Sequence, residues 1–298
     1  MSGAQRIYKQ KIRATETLEK VFNAMELIAA SRIGKARDAA LGQDPFTRAL
    51  TQSIATVATY ADEDHPLLNE RTDTNRVIVL VVTSDRGMAG AYSSSVLRET
   101  DRLLQELRED GKEPELYAFG RRGVSHYRFH GVPLVKTWVG ESDQPSSDTA
   151  VEIADEFLAR FLAAPEDGGV AELHVIYTRF ENMLRQTVQT RRMLPLMMVA
   201  DEGADDEPQT TSIYEFEPSG QEIFSALLPI YVRQRVYAVL LMAAASELAS
   251  RQQAMHSAVE NAQELIEEYT RLANNARQAE ITTEITEIIS GADSLGKN

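Results

Sequence analysis

The residues that most resemble a working site are Thr83-Ser84-Asp85-Arg86-Gly87-Met88-Ala89-Gly90-Ala91-Tyr92, a loop between a strand-like run and a helix-like one. Phosphates bind at such turns, because the first backbone N–H groups of a helix point outward unpaired and its dipole favours negative charge. Here the glycines are spaced only G-x-x-G, without G-x-G-x-x-G or G-x-x-x-x-G-K-[ST], and the loop has no lysine. It reads as a tight strand-to-helix turn rather than a nucleotide cradle. Ser84 and Asp85 with a distant histidine hold the parts of a hydrolase triad, but no G-x-S-x-G elbow presents the serine. His126 and His130 are four apart on a helix-like stretch and could share a ligand, yet nothing else converges there, so they read as surface histidines. The 5 histidines form no H-x-x-H or H-E-x-x-H pattern. With 0 cysteines, disulfides, thiolate zinc sites, iron–sulfur clusters and thiol nucleophiles are excluded. No catalytic residue, metal or cofactor is expected.

What the chain offers instead is shape. Its 298 residues are enough for a sizeable core without staples. A formal charge of −14 argues against general nucleic-acid binding, which works by neutralising phosphates. The most apolar window, Val236 to Ala245, is too short for a span of about 20 residues, and the N-terminus lacks a signal or transit pattern. An acidic, soluble, cytosolic protein is expected.

Two periodicities divide it. Val77-Ile78-Val79-Leu80-Val81-Val82 is an unbroken β-branched run, the mark of a strand buried on both faces. Glu115 to Phe119 and Leu173 to Tyr177 read as two more strands, and Thr187 to Leu194 as a further candidate. Helical stretches near Ser93 to Arg108, Arg122 to Phe129 and Asp148 to Leu162 alternate with them. Alternating β and α predicts a small, mostly parallel, Rossmann-like sheet. Asp201 to Pro208 reads as a solvated acidic loop.

At the two ends the period is helical. Leu18, Phe22, Met25, Ala29 and Ala36 form a heptad-like stripe with Arg32 in one slot, widened by Val21 and Ile28. Gly42-Gln43-Asp44-Pro45 predicts a stop, with a shorter helix resuming from Phe46 to Tyr60. Ser219-Gly220-Gln221-Glu222 fits a capping box that opens a helix to about Ile289. In it Leu241, Leu248, Met255, Ala262, Tyr269 and Ala276 lie seven apart, with companions three residues on at Ala244, Ala258, Leu265, Leu272 and Ala279. Pro229 is expected to kink or restart its first turns. About 70 helical residues make a rod about 100 Å long, against a radius of gyration of about 19 Å for a compact chain of this size. The expected architecture is therefore α/β: a long antiparallel coiled coil of the N- and C-terminal helices plus a central Rossmann-like α/β domain. The segments expected are 1–60, the N-terminal shaft helix and its continuation; 74–200, the globular domain; 201–218, the acidic connection; and 219–298, the long C-terminal helix. Residues 1–40 carry eight basic side chains against four acids. That basic helix either complements its acidic neighbour or offers a grip to a partner. The polar, Thr-rich stretch Arg277 to Ala292 suits hydrogen bonding to something that surrounds a slender tip.

On these residues the chain resembles the gamma subunit family, the central shaft of rotary ATP synthases. Ile281-Thr282-Thr283-Glu284 with Glu287 and Gly291-Ala292 matches the family's C-terminal signature. Met25-Glu26-Leu27-Ile28-Ala29-Ala30-Ser31-Arg32 is similar to its N-terminal segment, Thr83 to Tyr92 to its S-D-R-G-x-x-G element, and Tyr214 to Pro218 to the segment before the long helix. The resemblance implies a non-catalytic subunit, one copy per complex. Its partners would be a hexamer of alpha and beta subunits, epsilon and a membrane c-ring, at the cytoplasmic face of a bacterial plasma membrane and without insertion into it. Proton-driven rotation of the ring would turn the shaft and cycle the beta subunits through their nucleotide states for ATP synthesis. It implies beta-subunit contacts at Arg277, Gln278, Thr282 and Glu284, another near Met25, and c-ring contacts at Tyr214, Phe216 and Glu217. The chloroplast dithiol segment is absent. Pro165 to Gly169 resembles the loop insertion of actinobacterial members, where it would brake ATP hydrolysis. The alternative reading is a coiled-coil adaptor whose α/β domain recruits an unrelated protein.

Overall fold

A computed structural model describes residues 3–42, 44–60, 65–196, 217 and 219–295. They form two compact units, one of Met1–Ala30 with Arg251–Asn298, the other Ser31–Ser250.

The second unit is built on the unbroken apolar run. β1 (Arg76–Val82) lies at the centre of a five-stranded sheet with β2 (Glu113–Phe119), β3 (Thr137–Trp138), β4 (Glu172–Phe180) and β5 (Gln186–Leu194), in the order β3-β2-β1-β4-β5. β1 pairs in parallel with β2 and β4, β2 in parallel with β3, and β4 antiparallel with β5. Alternate residues of β1 serve opposite layers. Ile78, Leu80 and Val82 face a core shared with α2 (Asp44–Tyr60), α5 (Ser147–Leu162) and the first turns of α6 (Gly220–Leu295). Val77, Val79 and Val81 face α3 (Tyr92–Glu109) and α4 (Arg121–Phe129). A strand covered on both sides has no solvent face to mark with polar residues, hence the continuous Val/Ile/Leu run. The expected small, mostly parallel sheet is the one found, with β5 its antiparallel edge.

The helix boundaries follow from capping chemistry. α1 (Gly3–Gly42) ends at the glycine of the stop signal, and α2 resumes at Asp44. α6 opens as a capped helix, with the Glu222 N–H donating to Ser219 Oγ at 3.2 Å. Pro229 does not restart it: α6 continues through the proline as one helix to Leu295. Phe224, Leu228 and Val232, on either side of the proline, are buried against the sheet. Each contributes about 1.5–3 kcal/mol, which together exceeds the ~3 kcal/mol cost of a mid-helix proline. One 18-residue window of α6 has a mean hydropathy of 1.3, enough by length and composition for a membrane span. Several of its apolar side chains, Val236, Val239 and Leu240 among them, lie instead in the core of the α/β unit.

The first unit is a two-helix pairing. Glu26 and His256 meet at 3.1 Å, Gln263 Nε2 donates to Glu19 Oε1 at 2.9 Å, and Lys11 Nζ lies 5.1 Å from the Tyr269 ring centroid. Stepping down α1 by about seven residues steps up α6 by about seven, so the two run antiparallel.

Candidate functional site: what the chain leaves uncovered

The loop after β1 is closed by its own residues. Asp85 accepts from the backbone N–H groups of Arg121 (3.0 Å), Gly140 (2.7 Å) and Ser142 (3.0 Å). These are donors of the kind a phosphate would use, and Asp85 fills them with a carboxylate. Thr83 Oγ1 accepts from the Gly123 N–H at 2.8 Å and lies 3.1 Å from the Phe119 carbonyl. Gly120 has φ +94°, and a Cβ there would sit 2.1 Å from the Thr83 carbonyl oxygen. Ser84 Oγ is 2.7 Å from Ser93 Oγ. No histidine touches Ser84 or Asp85 among the described residues, so no triad forms.

The 165–169 connection is likewise tied down. It makes a 3₁₀ turn, Pro165–Asp167, with Arg76 donating to the Pro165 carbonyl at 3.0 Å and Arg160 to the Gly168 carbonyl at 2.8 Å. At the far end of the sheet, Glu172 is hydrogen-bonded by His174 (2.7 Å) and Lys112 (2.5 Å). Burial pushes the His174 imidazole pKa down, with Glu172 only partly offsetting it. Burial would raise the Glu172 carboxyl, but its bonds to His174 and Lys112 outweigh that and hold it low.

The paired helices differ. A seam of half-buried or buried positions on α1, Gln5, Tyr8, Ile12, Thr15, Glu19, Phe22, Glu26, Ala29 and Ile33, is spaced 3 and 4 throughout, with Met25 half-buried beside it. The stripe expected from the sequence shares Phe22, Ala29 and the half-buried Ala36 with this seam, while Leu18 and Met25 lie one residue off it. Leu18 is 51% and Ile28 54% exposed, and Val21 is exposed beside them. Leu18, Val21 and Ile28 thus make an exposed apolar stripe outside the seam, with half-buried Met25 at its edge. The seam tolerates Glu19 and Glu26 because Gln263 and His256 reach across to them. On α6 the positions seven apart are correct; of their expected companions beyond Met255, Ala258 and Leu272 are half-buried, and Val259, Ile266 and Ala273, four residues on, are covered as well. Leu265 and Ala279, expected in the seam, are exposed.

Arg277, Gln278, Thr282 and Glu284 are all exposed on α6. Helical spacing puts Arg277 and Glu284 on one face and Gln278 and Thr282 on another. Thr282 Oγ1 donates to the Gln278 carbonyl at 2.9 Å. Arg277 and Glu284 have no hydrogen-bonding or ion-pair partner among the described residues. Met25 is half-buried and one residue from Glu26, which meets His256. It therefore lies level with His256, about 30 Å along the helices from Arg277. The structure does not bring Met25 together with the other four. Tyr214 and Phe216 lie outside the described residues, as does the 201–208 stretch; Glu217 is exposed.

Sequence reasoning named the polar residues of the α6 end and missed its apolar ones. Every residue from Ile281 to Ser290 is exposed. Ile281, Ile285, Ile288 and Ile289 fall at i, i+4, i+7 and i+8, with Ile288 71% exposed. That is the spacing of a helix face meant to be covered, and it was legible in the sequence. By the antiparallel register, Gln5 pairs near residue 276, so these turns extend past the described start of α1. Four isoleucines beside a guanidinium, an amide, a hydroxyl and a carboxylate form one exposed surface. No chemistry is assembled there.

Residues 4–295 match the family described as ATP synthase. The chain is 56% identical to the ATP synthase gamma chain of Beutenbergia cavernae, over 99% of each. It is 50% identical to that of Acidothermus cellulolyticus, over 98% of each. Among solved structures, a chain of the Euglena gracilis mitochondrial ATP synthase OSCP/F1/c-ring assembly superposes with a TM-score of 0.63 at 16% identity, covering 98% of this chain and 95% of that one. At that identity the likeness speaks to the fold.

Proposed function

The chain belongs to the ATP synthase gamma chain family, and from that premise we propose that it is the turning shaft of the complex, carrying torque from a proton-driven c-ring to catalytic beta subunits. The observation that carries this reading is the uncovered end of α6, where an isoleucine stripe and unpaired polar groups lie on one slender helix. A sleeve of alpha and beta subunits is the partner such a surface suits. Arg277, Gln278, Thr282 and Glu284 are the beta contacts at this end, with Met25 and the exposed Leu18–Ile28 stripe meeting the sleeve further along. Tyr214, Phe216 and Glu217 face the c-ring, and epsilon binds the α/β unit. The chain itself is non-catalytic: the loop that resembles a phosphate site is filled by Asp85. Its location is peripheral, at the cytoplasmic face of the membrane.

A shaft drives its partners only if it binds their states unequally, because equal contact with every state shifts nothing. Side chains on different faces of one helix meet that need, since rotation presents each face to each beta subunit in turn. The absence of cysteine makes the test clean. Leu184→Cys, at an exposed hairpin tip, gives a single attachment point for a bead on the surface-immobilised complex. Rotation of the bead during ATP hydrolysis is expected; hydrolysis with a stationary bead overturns the shaft reading. Arg277→Ala and Glu284→Ala are each expected to lower ATP-driven proton pumping several-fold while the isolated chain keeps its unfolding midpoint. Unchanged pumping in both variants removes the assigned beta contacts.

A further inference from the structure

Between α3 and α4, within the α/β unit, lies an open cavity of about 590 Å³ that the shaft reading leaves unused. We propose that it binds a small phosphate-bearing anion between Arg98 and Arg122. The two walls are helix faces in matched spacing: Ser94 and Arg98 stand four apart on α3, and Arg122, His126 and Phe129 stand at i, i+4 and i+7 on α4. Arg98 and Arg122 are exposed, and among the described residues no carboxylate or carbonyl pairs with either guanidinium. Two guanidiniums free to make paired N–H bonds are suited to phosphate oxygens.

The local charge is the reverse of the whole. A chain of net charge −14 carries three arginines, two histidines and no acid over residues 121–130. The cavity's one carboxylate, Asp101, is engaged by the Tyr127 hydroxyl at 3.1 Å and lies 3.9 Å from His126 Nε2. A divalent cation, for which His126, His130 and Asp101 would be the ligands, is disfavoured by the two guanidiniums beside them. The first turn of the 18-residue α3 borders the same cavity, adding a partial positive charge. At the rim, Phe129 is 87% exposed with its ring 5.3 Å from His130. An aromatic ledge beside an arginine pair, in a cavity larger than a bare phosphate needs, leaves room for a nucleoside as well as for inorganic phosphates.

Isothermal titration of the full-length chain with ADP and, separately, with inorganic pyrophosphate tests this. Saturable one-site binding is expected, weakened about tenfold by Arg98→Ala or by Arg122→Ala. Arg191→Ala, on β5 away from the cavity, is expected to bind as the parent does. Circular dichroism and an unchanged unfolding midpoint establish that each variant is folded. Phe129→Ala distinguishes the sources: weaker ADP with unaltered pyrophosphate means a nucleotide site, and equal behaviour of the two means a site for the phosphate group alone. The proposal is overturned by no saturable binding of either probe, by parent-like binding in both arginine variants, or by an equal loss in Arg191→Ala. None of these outcomes bears on bead rotation, so this site and the shaft reading fail independently.

Discussion

The loop after β1 and the last turns of α6 both carry the polar residues that invite a functional reading, and the structure treats them in opposite ways. At the loop, Asp85 takes three backbone N–H groups, serine hydroxyls take those of Ser84 and Asp85, and Thr83 packs so closely on Gly120 that a methyl group would not fit. At the α6 end, Arg277 and Glu284 have no hydrogen-bond or ion-pair partner among the described residues, and the isoleucines beside them are exposed. Residue type does not separate the two places. What separates them is whether the chain satisfies its own groups. A polar motif closed on itself builds the fold; one left open is available to another molecule.

The sharpest way to break that contrast is Asp85→Ala. It strips three backbone N–H groups of their acceptor, and the α/β unit is expected to lose about 3 kcal/mol, read by urea unfolding. A loss below about 0.5 kcal/mol would mean the loop is not a structural clasp. His174 sharpens the same side by pH. Its pKa is depressed below the ordinary 6.5 in the folded chain, so the unfolded chain binds more protons as the pH falls past 6.5. The stability this buried neutral imidazole contributes is present above pH 6.5 and is lost on acidification toward the folded pKa. His174→Gln is expected to flatten the slope of the unfolding midpoint between about pH 6.5 and 5. The smallest effect belongs to the open side. Ile285→Ala and Leu18→Ala should each change the stability of the isolated chain by less than about 0.5 kcal/mol, because neither side chain is buried in it. A loss near 2 kcal/mol in either would place that residue inside a seam.

The same contrast explains what the sequence disclosed. β1 was legible because burial on both faces demands a continuous apolar run, and α3 to α5 because one-sided burial imposes a helical period. β3 escaped notice: two residues, Thr137–Trp138, have no period to show. The register of the α1 seam was misread because Leu18 and Met25 are apolar while the true seam residues Glu19 and Glu26 are not. Hydrophobic counting assumes an apolar seam, and here cross-helix partners at Gln263 and His256 allow carboxylates in it. The error located a surface, since Leu18, Val21 and Ile28, taken for the seam, are exposed. Pro229 was given too much weight for a related reason: its cost is local, whereas the burial of Phe224, Leu228 and Val232 that holds α6 together comes from the sheet. At the candidate site, the polar residues came from a resemblance, and the isoleucines needed only spacing to be found.

The bare isoleucine face also bears on how the molecule is made. A chain released ahead of its partners carries Ile281, Ile285, Ile288 and Ile289 into solvent on α6. Such a face favours self-association whenever supply of the chain outruns the molecules that cover it. That face is thus the one most in need of prompt capture, and balanced production of the subunits protects the chain where its own fold does not.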